Sequence, residues 1–206
     1  MLRSINSSKI FLLTLLLVVG YNRIVAQQIK LSQLSKYEKR WVLFHPIAAL
    51  KIKKNYSRII EVYQQVKQQA ELDTFENGGK LDAFRHTYVM ASLVQKINSK
   101  KIRKLGIAHE KGNQLDFMKH KLEEGELADS ISCEMDLLNN EIGIGIGKEC
   151  KKQQCDQQAL KSKVIEAIKS GKTFYLKRNT DGKYLTCTGE LILPEKWKDT
   201  WNIPKW

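Results

Sequence analysis

Proline is scarce in this chain and glycine is not abundant: 3 Pro and 12 Gly in 206 residues exclude collagen-like and Pro/Gly-rich low-complexity architectures. Four cysteines are too few for a miniprotein built on disulfides, and a chain of this length can bury a core without them. No C-x-x-C pair and no H-E-x-x-H helix occurs, so the common zinc signatures are absent. No G-x-S-x-G is present, which leaves acyl-enzyme chemistry without a nucleophile elbow. No apolar run reaches the roughly 20 residues that a membrane-spanning helix needs. Internal repeats are lacking as well. What remains, 42% hydrophobic and 28% charged residues, is the composition of one ordinary globular domain.

The first 26 residues lack acids and hold Arg3, Lys9 and Arg23 around the apolar run from Ile10 to Val19. A short apolar core behind a basic end reads as a signal peptide, cleaved after Ala26, with an uncleaved anchor as the alternative. The predicted organisation is a signal peptide at 1–26 and a single helical domain at 27–206. The product is then an exported protein, periplasmic or secreted, of bacterial type.

The formal charge is +13, and +10 once residues 1–26 with their three basic groups are removed. Such an excess favours anionic partners, whether substrate or surface, although dispersed lysines also serve solubility. The basic groups do not interleave with aromatics, so no specific nucleic-acid motif emerges. Export would place Cys133, Cys150, Cys155 and Cys187 in an oxidising compartment. A Cys150–Cys155 bridge closes the shortest loop.

Apolar periodicity predicts helices across 31–70, interrupted at His45-Pro46, then across 81–97, 100–109, 114–124, 126–142 and 156–169. Asn77-Gly78-Gly79 and Gly112-Asn113 are expected breaks. From about 172 the period changes. Thr173–Lys177 and Lys183–Cys187 flank Asn179-Thr180-Asp181-Gly182, a β-hairpin signal. The expected fold is mainly α: a compact bundle of five to seven helices with a small C-terminal β-hairpin. Gly143-Ile144-Gly145-Ile146-Gly147 follows no strand, so it reads as a place of close helix packing or as the end of the helix, and not as a phosphate loop.

Three predicted helices each carry a compact polar group within otherwise apolar sequence. Asp82, Arg85 and His86 share a face at i, i+3 and i+4. His109 and Glu110 follow Ala108, and Asp136, Asn139 and Asn140 lie within Met135–Asn140. Buried polar groups need partners, and a meeting of the three clusters would supply them. His86 or His109 could then act as general base, oriented by Asp82 or Glu110. Arg85 could pair with an anion, and Asn139 or Asn140 could donate to an oxyanion. Asp82, His86, His109 and Asp136 are also ligand types for a divalent metal. A purely structural network is the third alternative.

The segments Asp82-Ala-Phe-Arg-His86, Ala108-His-Glu110 and Met135-Asp-Leu-Leu-Asn-Asn140 resemble an uncharacterised bacterial domain family, a domain of unknown function. Its members share F-R-H, A-H-E and M-D-L-x-N-N motifs in that order, here spanning about residues 76–150. Members occur in exported and toxin-like proteins, and the resemblance therefore implies a small hydrolase. Nothing carries over to the cysteines or to the tail at 172–206.

Together these readings predict an exported hydrolase acting on an ester or phosphodiester of an anionic substrate, with phospholipid favoured. The alternative is a non-enzymatic interaction module held together by the polar cluster. Trp197, Trp201 and Trp206, set among lysines, are expected to strap across the bundle with at least two rings buried; peripheral membrane contact is the other use of such a tail.

Overall fold

A computed structural model describes residues 31–120, 130–186 and 188–192. Residues 1–26, expected to be a signal peptide, Cys187 and the three tail tryptophans lie outside these residues. After a short 3₁₀ turn at Leu31–Gln33 come six α-helices: α1 Lys36–Phe44, α2 Pro46–Gln69, α3 Lys80–Val94, α4 Ser99–His120, α5 Ser130–Gln153 and α6 Gln157–Lys169. Among the described residues no helix is long and apolar enough to cross a membrane.

α3 is the axis of the bundle. It touches α2, α4, α5 and α6, and its closest association is with α5. Its sequence explains the position: Leu81, Ala83, Phe84, Tyr88, Ala91, Leu93 and Val94 bury more than one face, and a helix apolar nearly all round has to be interior. Phe84 and Tyr88 stack with ring centroids 5.2 Å apart. The start of α3 has no side-chain cap of its own. The Asp73 carboxylate fills that role from a distance, accepting from the N–H groups of Lys80 (2.7 Å) and Leu81 (3.1 Å).

The glycines of α5 set how closely it lies on α3. A Cβ at Gly143 would stand 2.3 Å from the Thr87 carbonyl oxygen, and one at Gly147 would stand 2.3 Å from that of Ala91. Gly145, on the other face, meets nothing within 4 Å. Of the two expected roles, close packing or the end of the helix, the glycine run takes the first: it is a backbone-to-backbone seam, and α5 continues through it to Gln153 instead of stopping near 142.

The expected break at Gly112-Asn113 is absent, and α4 is one helix of 22 residues. Here a Cβ at position 112 would lie 2.7 Å from the Ser35 side chain, so this glycine makes room for the start of α1. Packing, not chain reversal, accounts for it. α1 begins with a capping box: Glu38 N–H donates to Ser35 Oγ, and Ser35 N–H donates to Glu38 Oε2. Trp41 then donates its indole N–H to the Lys101 carbonyl at 2.9 Å, fixing α1 on α4.

The C-terminal β-hairpin does not form. Among the described residues there is no strand, only isolated antiparallel bridges at Arg178–Tyr184 and Leu185–Leu191. The reason lies in what the backbone of the first β-type run is bonded to. Phe174 exchanges both its N–H and its carbonyl with the Asn139 side chain, and Leu176 N–H donates to the Gly78 carbonyl at 2.7 Å. With those groups committed to the helical body, 173–176 is a strap, and pairing with the second run is confined to Leu185 N–H on the Lys177 carbonyl and the Arg178–Tyr184 bridge. Arg178 holds its far end, stacked on Phe75 (4.6 Å) and Tyr184 (4.2 Å) and bonded to the Asn77 carbonyl. The turn at Asn179–Gly182 does form, closed by Gly182 N–H to the Asn179 carbonyl.

Cys133, Cys150 and Cys155 are free thiols. Cys150 and Cys155 are close enough to hydrogen-bond, but the bridge expected between them is not formed; burial, followed by the neighbouring Cys155 thiol, pushes Cys150 up to about 12.

Candidate functional site

The three polar clusters of α3, α4 and α5 come together. From α3, Asp82 and His86 point toward α5, where Asp136 and Asn140 share a face. His86 Nε2 lies 3.4 Å from Asp82 Oδ1 and 3.3 Å from Asp136 Oδ1. On the other side of the ring, Nδ1 lies 3.3 Å from Asn140 Oδ1. With Nδ1 protonated, Nδ1 donates to Asn140 Oδ1 and Nε2 offers its lone pair beside Arg85 NH2; with Nε2 protonated, Nε2 donates to the carboxylates of Asp82 and Asp136.

Arg85 supplies the compensating cation. Its guanidinium bonds Asp82 Oδ1 through NH2 (2.8 Å) and Nε (3.1 Å), and NH2 reaches to 3.5 Å from His86 Nε2. The other oxygen of Asp82 accepts the Gly78 N–H at 2.6 Å. Asp82 is thus held from both sides, by the loop before α3 and by the next turn of α3. Burial, the Arg85 charge and the His109 charge hold His86 well below the usual histidine range, with only the Asn140 hydrogen bond opposing.

His109 sits beside this group, its ring centroid 6.4 Å from that of His86. Its orienting partner is not Glu110 but Glu38 of α1, whose Oε1 lies 3.1 Å from His109 Nδ1. One carboxylate thus caps α1 through Oε2 and holds the imidazole through Oε1. Burial opposes the charged form of His109, but the Glu38 hydrogen bond and the charges of Glu110 and Glu38 prevail and lift it to about 9. Glu38 itself is held below its ordinary value: burial works against this, and the His109 hydrogen bond and charge overcome it.

Glu110 points elsewhere. It is fully buried, with Asn113 and the Cys133 thiol donating to it, and burial pushes it up to about 7. Its Oε1 has no hydrogen-bond partner among the described residues. Asn139 is likewise spent: Nδ2 donates to the Phe174 carbonyl at 2.8 Å and Oδ1 accepts the Phe174 N–H at 3.0 Å. Asn140 keeps a buried Nδ2 with no partner among the described residues, beside Gly106. Of the two asparagines, it alone has a donor left to offer an oxyanion.

Solvent access divides the group. The side chains of Asp82, Asp136 and His86 are at most 7% exposed, whereas Arg85 is 27% and His109 40% exposed. The cluster therefore has an inner floor and an outer lip formed by the two cationic groups.

A metal could be held on the floor. Asp82, His86 and Asp136 each place one ligand atom within 4.8 Å of the others, three of the four residues that the sequence offered. Two carboxylates and an imidazole suit a divalent ion of intermediate hardness. The fit has a condition: Arg85 already bonds Asp82 Oδ1, and the guanidinium would have to leave that oxygen. His109, the fourth residue offered, is engaged with Glu38 instead.

Glu38 is the member that sequence reasoning missed. The signal was present in Ser35-x-x-Glu38, a capping box, but that pattern explains the glutamate through one oxygen and gives no hint of the second.

These features define an all-helical domain with a buried histidine–carboxylate–arginine cluster at the meeting of three helices. The chain belongs to the family described as Domain of unknown function (DUF6973), which it matches over residues 39–172. The match reaches from within α1 past the end of α6, and so is wider than the three motifs. No curated protein and no solved structure matches the chain.

Proposed function

We propose that the domain is an exported hydrolase that cleaves an ester or phosphodiester in an anionic substrate, phospholipid being the favoured class, with His86 as general base and His109 as general acid. The observation that carries this reading is the pairing of two histidines, 6.4 Å apart, whose surroundings drive them in opposite directions. Environments that separate two titratable groups mark out acid and base.

His86 Nε2 takes a proton from water, and the water oxygen attacks the carbonyl carbon or the phosphorus. The bond to the leaving oxygen breaks, and His109 gives that oxygen a proton. Glu38 fixes the His109 ring, and Asn140 fixes that of His86. Arg85, at the exposed lip, pairs with the negative group of the substrate.

The test is turnover on a panel of short-chain phospholipid and phosphodiester substrates. His86→Ala and His109→Ala should each lower the rate by about 10²–10⁴-fold while the circular dichroism spectrum stays unchanged. Activity that survives both substitutions rejects the assignment. Turnover that vanishes on chelation and returns with a divalent ion moves the chemistry onto Asp82, His86 and Asp136 as ligands.

A second reading has its own support: Asn139 holds both backbone groups of Phe174, 35 residues away, and Asp82 holds the Gly78 N–H, the work of a strut. In a non-enzymatic interaction module the whole cluster would do only this.

A further inference from the structure

At the corner where α1 meets α2, four large apolar side chains face solvent: Leu43 (74% exposed), Phe44 (64%), Ile47 (72%) and Leu50 (67%). Single exposed apolar residues are ordinary, but four within eight positions, at a projecting corner, are not. His45-Pro46 creates the corner. Phe44 ends α1, Pro46 opens α2, and the two helix ends present their apolar tips side by side.

The charge around the corner points to its partner. From Lys39 to Ile60 there is no acidic residue, and Lys39, Arg40, Lys51, Lys53, Lys54 and Arg58 are all exposed. On α2, Ile47, Leu50, Lys51 and Lys54 fall at i, i+3, i+4 and i+7, so the apolar tip runs into lysines along one stripe. Apolar side chains that protrude, backed by long cationic ones that can keep their ammonium groups at headgroup level, match an anionic bilayer in both polarity and charge. A neutral apolar partner would explain the tip but not the run of cations from Lys39 to Arg58.

We infer that the α1–α2 corner is a membrane-docking wedge that inserts Leu43, Phe44, Ile47 and Leu50 into the surface of an anionic phospholipid bilayer. Glu38 lies only five residues before Leu43 on the same helix, about 7.5 Å of rise, so the wedge would bring His109 close to the headgroup layer. The inference rests on exposure and charge, independently of the catalytic reading.

The test is co-sedimentation of the full chain with vesicles of phosphatidylcholine alone and of phosphatidylcholine mixed with phosphatidylglycerol. The wild type should bind the mixed vesicles and ignore the neutral ones. Replacing Leu43, Phe44, Ile47 and Leu50 together by Ser should weaken binding roughly a hundredfold with the melting temperature unchanged, because these side chains are outside the core. Lys53→Glu with Lys54→Glu should weaken it about tenfold and leaves the apolar tip untouched. Cleavage of a soluble short-chain substrate should survive in both variants, which separates this inference from the catalytic one. Vesicle binding that persists in both variants, or a wild type that ignores both vesicle types, overturns it. So does a wild type that elutes as a dimer when the Ser variant elutes as a monomer, since a second copy would then cover the corner.

Discussion

The two histidines of the cluster are neighbours, yet one belongs to a region built like a core and the other to a region built like a surface. His86 is enclosed between α3 and α5, where backbones approach so closely that Gly143 and Gly147 admit no side chain. His109 sits on the outer side, between α4 and the start of α1, with 40% of its side chain in contact with solvent. Burial dominates the first environment and strips the ring of its proton. A single carboxylate, Glu38, decides the second and keeps the proton on. Enclosure and pairing thus produce opposite charge states from one residue type.

The difference has a sign in pH. Folding favours the His109 proton, so the stabilisation is complete below about 6.5 and is lost as pH rises through about 9. Water at the exposed edge screens this attraction, so its contribution to stability is small. Folding disfavours the His86 proton, so stability present above about 6.5 declines as pH falls.

The comparison breaks most readily at Asp82. Asp82→Ala removes the acceptor of the Gly78 N–H and the counter-ion of Arg85 inside the enclosed region. It should cost about 3–5 kcal/mol in urea unfolding, and a loss below about 1 kcal/mol would show that this half of the cluster is not structural. The seam gives the next largest effect. Gly143→Ala should cost about 1–3 kcal/mol, because the added methyl meets the Thr87 carbonyl and not a side chain that can move. Gly145→Ala is the control on the open face, and it should gain up to about 1 kcal/mol of helix propensity. Equal melting temperatures for the two variants would contradict the seam.

The smallest effect sharpens the outer half. Glu38→Gln keeps the shape of the group holding His109 but removes its charge. The descending alkaline limb of the pH–rate profile should move from about 9 down toward 6.5, with little change in melting temperature. An alkaline limb that stays in place would mean that Glu38 does not set the His109 proton.

What the sequence disclosed follows the same division. Asp82, Arg85 and His86 sit at i, i+3 and i+4 of one helix, and Asp136 and Asn140 share the i, i+4 spacing on another, so each shared face was legible from helical period and their meeting from the need of buried polar groups for partners. The helical bundle was legible for the same reason, though α4 was expected as two helices and α5 was expected to stop near 142. Glu38 was not, because its distance from His109 in the chain is 71 residues and no period links them. Gly112 was misread as a break, since a glycine that relieves a contact with another helix has the same letter as one that ends its own. The hairpin failed for a related cause. The runs 173–177 and 183–187 have β-type composition, but the backbone of the first is claimed by Asn139 and Gly78, partners that local sequence cannot reveal.

That claim has a kinetic meaning. The strap is fastened at two points, on α5 through Asn139 and on the approach to α3 through Gly78 and Asn77. Neither fastening exists until those helices have met in register, so the strap registers their coincidence and does not cause it. Closing such long loops costs little more than closing short ones once the anchors are in place. The strap then belongs to the last step of assembly and the first of disassembly. Lesions in it should speed unfolding and leave the folding rate nearly unchanged.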